Sequence, residues 1–201
     1  LTGVAGPEAD ALRRSSSRNT PGAVVESLRG REDELATALR RELWDAADPY
    51  ERAVSLTGCR GAQAHTLREG LLDSHAFLGL ESLAGVDPAL ADPWLDRFAA
   101  TAPRCVLRAL VGRGDDRAHA LRRELIETGR ECLDSAIGLD DPHAWSLRED
   151  LAARWPSSVV HSLFGVPDGP RRRATIERCL GAAPDDLHVL RRARELAEQD
   201  G

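Results

Sequence analysis

The chain contains no lysine: all 27 of its basic residues are arginine. A phosphate-binding glycine loop that ends in lysine is therefore excluded. Arginine and alanine richness without lysine predicts a high-GC, bacterial source. Methionine is absent too, which leaves no initiator and predicts that the chain is cut from a longer protein. Aromatic side chains make up only 4% of the sequence. Leucine, alanine and valine must then build the core, which favours close-packed helices over a sheet. No apolar run reaches the roughly 18 residues of a membrane span. The opening LTGVAGPEAD has no basic region followed by an apolar stretch, so it does not read as a signal peptide.

Other absences concern chemistry. The four cysteines, Cys59, Cys105, Cys132 and Cys179, stand far apart with no CxxC. They read as reduced, mostly buried thiols of a cytoplasmic protein. The net charge is −6, whereas a nucleic-acid binder carries a basic excess that replaces phosphate counterions. The sequence has no GxSxG elbow, no HExxH and no Cys–His pair at a recognisable spacing.

What is present is a repeat. The 201 residues are 42% hydrophobic and 30% charged, the balance of a globular chain. Glycines recur at Gly3, Gly30, Gly58, Gly85, Gly112, Gly138 and Gly165, with successive gaps of 27, 28, 27, 27, 26 and 27. Two residues before each stands an apolar residue: Leu1, Leu28, Leu56, Leu83, Leu110, Ala136 or Leu163. Three residues further back lies another: Val25, Ala53, Leu80, Leu107, Leu133 or Val160. The spacing predicts a short helix closed by a left-handed glycine cap.

After each glycine comes an acidic or proline-containing link such as REDE, VDPAL, RGDDR or LDDPH. Asp supplies a cap for free N–H groups and Pro is tolerated at the first helical position. A second helix is predicted next. An alanine recurs at Ala9, Ala36, Ala64, Ala91, Ala118 and Ala144. Three residues on stands Leu12, Leu39, Leu67, Trp94, Leu121 or Leu147, and four beyond that Ser16, Leu43, Leu71, Phe98, Leu125 or Leu151. Positions i, i+3 and i+7 share one helix face. The small alanine marks a close helix–helix contact. Pro21, Pro49, Pro103, Pro156 and Pro184 are expected to close units.

One such unit cannot bury enough apolar surface alone, so stacking must supply a shared core. The sequence predicts a single repeat array over 1–201, with a partial first repeat in 1–20 and a terminal helix in 185–201. The first unit begins at its glycine corner, so more repeats are expected before it.

The motif SL-x-G-x-D-D-x-x-A-x-x-L-R-x-x-L, seen in SLRGREDELATALRREL and ALVGRGDDRAHALRREL, resembles the two-helix units of HEAT-like α-solenoids. The resemblance covers essentially the whole chain. It implies an all-α fold, a right-handed α-solenoid of about seven two-helix repeats. Solenoids of this kind act as scaffolds or recognition surfaces, and the resemblance carries over no catalytic residue.

Asp140, Asp141 and His143 could form a metal or acid–base site, but Asp141 as a cap and Pro142 as a first helical residue explain the stretch. His65 and His119 share one slot, two residues before the core leucine, with Trp145 in the same slot of the next unit. At helix-packing distances about 20 Å separates two such units, too far for one metal ion. Arg13, Arg40, Arg68, Arg122 and Arg148 each follow the core leucine. They form a ladder that either faces acidic ligands or pairs with corner acids such as Asp33, Asp87, Asp116 and Asp141. The matched spacing favours pairing between units. Trp94 replaces a core leucine and is expected to be buried, whereas Trp44, Trp145 and Trp155 are candidate interface anchors.

The sequence thus assigns no catalytic, cofactor-binding or metal-binding residue. It points to a non-catalytic recognition or scaffold region of a larger cytoplasmic protein. The partner would be a protein or another domain of the parent chain, not a membrane. A HEAT-like nucleic-acid-binding module and a structural spacer beside an enzyme or nucleotide-dependent domain remain the alternatives.

Overall fold

A computed structural model describes residues 4–199, so Leu1 and Gly3 of the repeat register lie outside the described residues. The described residues form fourteen α-helices and two single-turn 3-10 segments, with no strand. The chain divides into two compact units, Leu1–Arg97 and Phe98–Gly201.

Short and longer helices alternate. In the first unit these are α1 (Pro7–Ser16), α2 (Pro21–Glu26), α3 (Glu34–Leu43), α4 (Pro49–Leu56), α5 (Ala62–Ser74) and α6 (Ala76–Glu81), followed by α7 (Pro88–Phe98). The second holds α8 (Pro103–Ala109), α9 (Asp116–Glu124), α10 (Arg130–Asp134), α11 (Pro142–Leu151), α12 (Pro156–Ser162), α13 (Pro170–Ala182) and α14 (Leu187–Gln199). The short helices pack in series: α2 on α4 and α4 on α6 in the first unit, α8 on α10 and α10 on α12 in the second. The longer ones lie against them, as α3 does on α2 and α11 on α12.

The local signals explain these boundaries. The six described corner glycines all have positive φ, from +70° at Gly30 to +81° at Gly165. They end the short helices in the left-handed conformation that a Cβ resists. Asp33, Asp115 and Asp141 accept the N–H groups of Ala36, Ala118 and Ala144, so the acidic links are helix caps. Asp48 and Glu51 form a complete capping box at α4. The prolines behave differently from expectation. Pro21, Pro49, Pro103 and Pro156 do not close units; each is the first residue of the next short helix. There its missing N–H costs nothing.

The core follows the predicted slots. The apolar positions before each corner glycine, Leu28, Leu56, Leu83, Leu110, Ala136 and Leu163, are fully buried. So are the small alanines of the longer helices. Val24, Val25 and Leu28 of α2 and its end form one cluster with Ala36, Leu39 and Leu43 of α3. Three leucine-slot residues depart from the pattern, Leu67 among them, which is partly buried. Leu12 is half exposed and Trp94 is only partly buried. Trp94 is therefore not the buried core residue its position predicted.

Corner glycines also approach one another. A Cβ on Gly165 would lie 3.4 Å from Gly138 Cα, whereas one on Gly85 would meet nothing within 4 Å. Gly85→Ala should cost only the left-handed backbone penalty, about 1–2 kcal/mol. Gly165→Ala should cost that and more, because the neighbouring backbone must give way. Thermal melts of the two variants test the order; a milder effect at Gly165 would show that the corner packing contributes nothing.

Candidate functional site

The most regular polar feature of the sequence, the arginine ladder, turns inward. Arg13, Arg40, Arg68, Arg122 and Arg148 are each no more than 2% exposed. Each belongs to a longer helix and points beneath the ends of the short ones. Arg148 of α11 is the fullest case. Its Nε donates to Ser162 Oγ at 3.0 Å. Its terminal nitrogens donate to the carbonyls of Leu139 at 2.9 Å, Ala136 at 3.0 Å and Ser162 at 2.9 Å. Arg122 of α9 repeats this with Ser135 Oγ and the carbonyls of Leu110, Arg113 and Ser135. Arg68 reaches Ser82 Oγ, Leu56 and Cys59. Arg40 reaches the carbonyls of Leu28 and Ser55.

The guanidinium thus sits between the C-terminal ends of two consecutive short helices: α2 and α4 for Arg40, α4 and α6 for Arg68, α8 and α10 for Arg122, α10 and α12 for Arg148. The last carbonyls of a helix lack intrahelical partners and carry the negative end of its dipole. One planar, multidentate cation satisfies two such ends at once. The serine completes the joint. Ser162 Oγ accepts from Arg148 and donates to the Val159 carbonyl at 2.8 Å, and Ser27, Ser82 and Ser135 make the same relay.

The expected pairing of Arg40, Arg68, Arg122 and Arg148 with corner acids is therefore corrected: all four donate to backbone carbonyls, the last three also to a serine hydroxyl, with Cys59 Sγ added at Arg40 and His119 Nδ1 beside Arg122. Asp33, Asp87 and Asp141 are occupied as helix caps, whereas Asp116 is the first residue of α9 and its neighbour Asp115 is the cap. Asp115 is additionally held by Arg113 Nε at 2.9 Å, which with the Ala118 N–H keeps its carboxyl at about 2. Only Arg13 has a ladder-like ion pair, with Asp10 of its own helix at 3.1 Å. Burial pushes Arg122 and Arg148 down to about 10, so both stay cationic at neutral pH.

The sequence at residues 95 and 109 agrees with this joint. Where the arginine slot holds Leu95, the serine slot fourteen residues on holds Ala109. The polar pair is lost together.

The remaining candidates resolve into structure. Asp141 Oδ1 accepts from the N–H groups of His143 and Ala144, both at 2.9 Å. Asp140 Oδ1 accepts from Trp145 Nε1 at 2.7 Å. Trp145 is buried between the guanidiniums of Arg148 and Arg171, 4.9 and 5.0 Å from its ring centre. It is a packed cation–π layer, not an exposed interface anchor. Trp155 lies against Gly129, where a Cβ would come within 3.3 Å of its ring. All four cysteines are free and buried. Burial raises the thiols of Cys132 to about 12 and Cys179 to about 11, which leaves them protonated and unreactive. Among the described residues no group of three His, Cys, Asp or Glu could hold a metal ion.

No family model, curated protein or solved structure matches the chain. The geometry alone speaks for it.

Residues that the sequence did not single out complete the site. Arg31 and Arg113, each directly after a corner glycine, are buried beside the caps Asp33 and Asp115. Arg172 of α13 is buried and donates to the Val166 carbonyl at 3.1 Å. Their signal was available: the residue after a corner glycine is Arg31, Cys59, Val86, Arg113, Leu139 or Val166, an apolar or arginine slot. His119, one of the two histidines of the shared slot, is buried beside a cleft of about 430 Å³ lined by Asp116, Ala120, Arg123 and His143.

Proposed function

We propose that this chain is a region of a HEAT-like α-solenoid of about seven two-helix repeats, serving non-catalytic protein recognition or scaffolding in a larger cytoplasmic bacterial protein. One observation carries the reading. Eight of the 27 arginines are buried: the five of the ladder with Arg31, Arg113 and Arg172. No carboxylate among the described residues is buried. Among the described residues that leaves 19 arginines to share the surface with 32 acidic residues, the 33 of the chain less Asp200. The regular cationic feature is spent on joining helices, and the outer surface is far more acidic than the net charge of −6 suggests.

Such a surface repels a phosphate backbone, which counts against the nucleic-acid reading. It favours proteins that present basic surface, by steering and by complementarity. Among the described residues no helix is long and apolar enough to cross a membrane.

The test is affinity capture with the intact parent protein and with residues 1–201 deleted, partners identified by mass spectrometry. Partners lost on deletion, and released by salt, are the expected result. An unchanged partner list would overturn recognition in favour of a spacer.

A further inference from the structure

His119 of α9 is held at the seam between α9 and α11. Its Nδ1 lies 3.4 Å from a terminal nitrogen of Arg122, and its Nε2 lies 3.3 Å from Asp141 Oδ1, the cap of α11. His143, in the first turn of α11, stacks on its ring at 4.9 Å between centres. Asp116 and Arg123 of α9 line the same cleft, Arg123 being engaged with Asp150 and Ser146 of α11. From the corner before α9, the Gly114 backbone faces the imidazole.

This geometry selects one protonation state. A guanidinium only donates, so Nδ1 can approach Arg122 only with its lone pair. Nε2 then carries the proton; Asp141 Oδ1 lies 3.3 Å from it, yet no hydrogen bond closes on this buried nitrogen. The tautomer follows from these neighbours. A second proton, on Nδ1, would set one N–H donor against another and one cation against another at 3.4 Å. Asp141 attracts the added charge, but its Oδ1 is already occupied by two backbone N–H groups. A cation there also meets the positive N-terminal end of α11.

We infer that His119 is a proton-operated latch on the Arg122 joint: neutral, it holds the guanidinium between the ends of α8 and α10, and protonated, it drives it away and loosens the α9–α11 seam. The inference concerns regulation of the fold and stands whether or not the recognition reading does.

Burial, with Arg122 and His143 adding to it, keeps the folded His119 below its ordinary 6.5. The unfolded chain therefore binds more protons between the two values. The stability contributed by neutral His119 is fully present above 6.5 and is lost as pH falls through the lower, folded value.

Two measurements on the full chain test this. The first follows the histidine ring signals by NMR; the His119 midpoint is expected below 6.5. The second compares amide exchange near neutral pH and one to two units lower, corrected for the intrinsic rate. Amides of α9 and α11 should lose roughly ten-fold more protection than those of α3, in the other unit. In His119→Gln that excess should disappear. His161 is also depressed, by burial and by Arg192, so its response persists in the variant and serves as the internal control. A His119 midpoint at or above 6.5, an acid response spread evenly over both units, or an unchanged excess in His119→Gln would each overturn the latch. The first two readouts need no variant, so a misfolded substitution leaves the test intact.

Discussion

Arg148→Ala is expected to destabilise the second unit by about 3–5 kcal/mol, the range for breaking a buried charged network. The substitution strips donors from three carbonyls and from Ser162 Oγ at once. Each carbonyl left dry costs about 1–3 kcal/mol. The void also faces Trp145, whose ring the guanidinium covers. Arg148→Lys should recover little, since an ammonium cannot span the ends of α10 and α12 as a planar fork does. The check is denaturant unfolding, with exchange protection used to place the loss within 98–201. A further comparison isolates the serine relay. Arg148→Leu with Ser162→Ala copies the residues found at positions 95 and 109. The two changes together should cost about 1–2 kcal/mol less than their separate costs added. A loss below about 1 kcal/mol for Arg148→Ala would mean that water replaces the joint, and that the ladder is not structural.

Gly79→Ala should cost about 2–3 kcal/mol, at the upper part of the range for overpacking. In an exposed helix the same change stabilises by up to about 1 kcal/mol, because alanine loses less backbone entropy. The sign reverses here because α6 is pressed against α5. A Cβ on Gly79 would stand 2.7 Å from Leu72 Cγ and 2.8 Å from Leu72 Cα. Carbon atoms in contact prefer about 3.5–4.0 Å. The leucine side chain could turn away, but its Cα moves only with the helix. Gly70, in α5, is the control: a Cβ there meets nothing within 4 Å, so Gly70→Ala should be neutral or stabilising. A clear fall in melting temperature is expected for Gly79→Ala and no change or a small rise for Gly70→Ala. If both variants melt alike, the α5–α6 approach is looser than the structure has it.

The two predictions differ in how legible their residues were. Arg148 was visible as a member of a periodic set, and periodicity gave its place on the helix. Its partner was not visible. Corner acids and ladder arginines recur with the same period, so spacing alone could not distinguish an ion pair from two separate duties. Burial settled it: the acids stay at the helix starts as caps, and the guanidiniums go beneath the helix ends. Gly79 gave no periodic signal at all. Nothing in its own neighbourhood of sequence distinguishes it from Gly70, and only the distance to Leu72 does.

His119 shows the same limit at the candidate site. The sequence gave it a slot shared with His65, but His65 is partly exposed beside Glu69, while His119 is enclosed by Arg122, Asp141 and His143. The difference comes from residues in another helix, which no reading of one helix can supply.

By itself, then, the sequence determined the helices, their caps and corners, and the apolar slots that make the core. These depend on neighbours within one or two turns: a left-handed glycine, an Asp before the first turn, apolar residues three and four apart. The tertiary structure decided which polar groups meet, which arginines lose their water, and which glycine has no room for a methyl group. Those outcomes depend on how closely separate helices approach, and a few tenths of an ångström between backbones decide them.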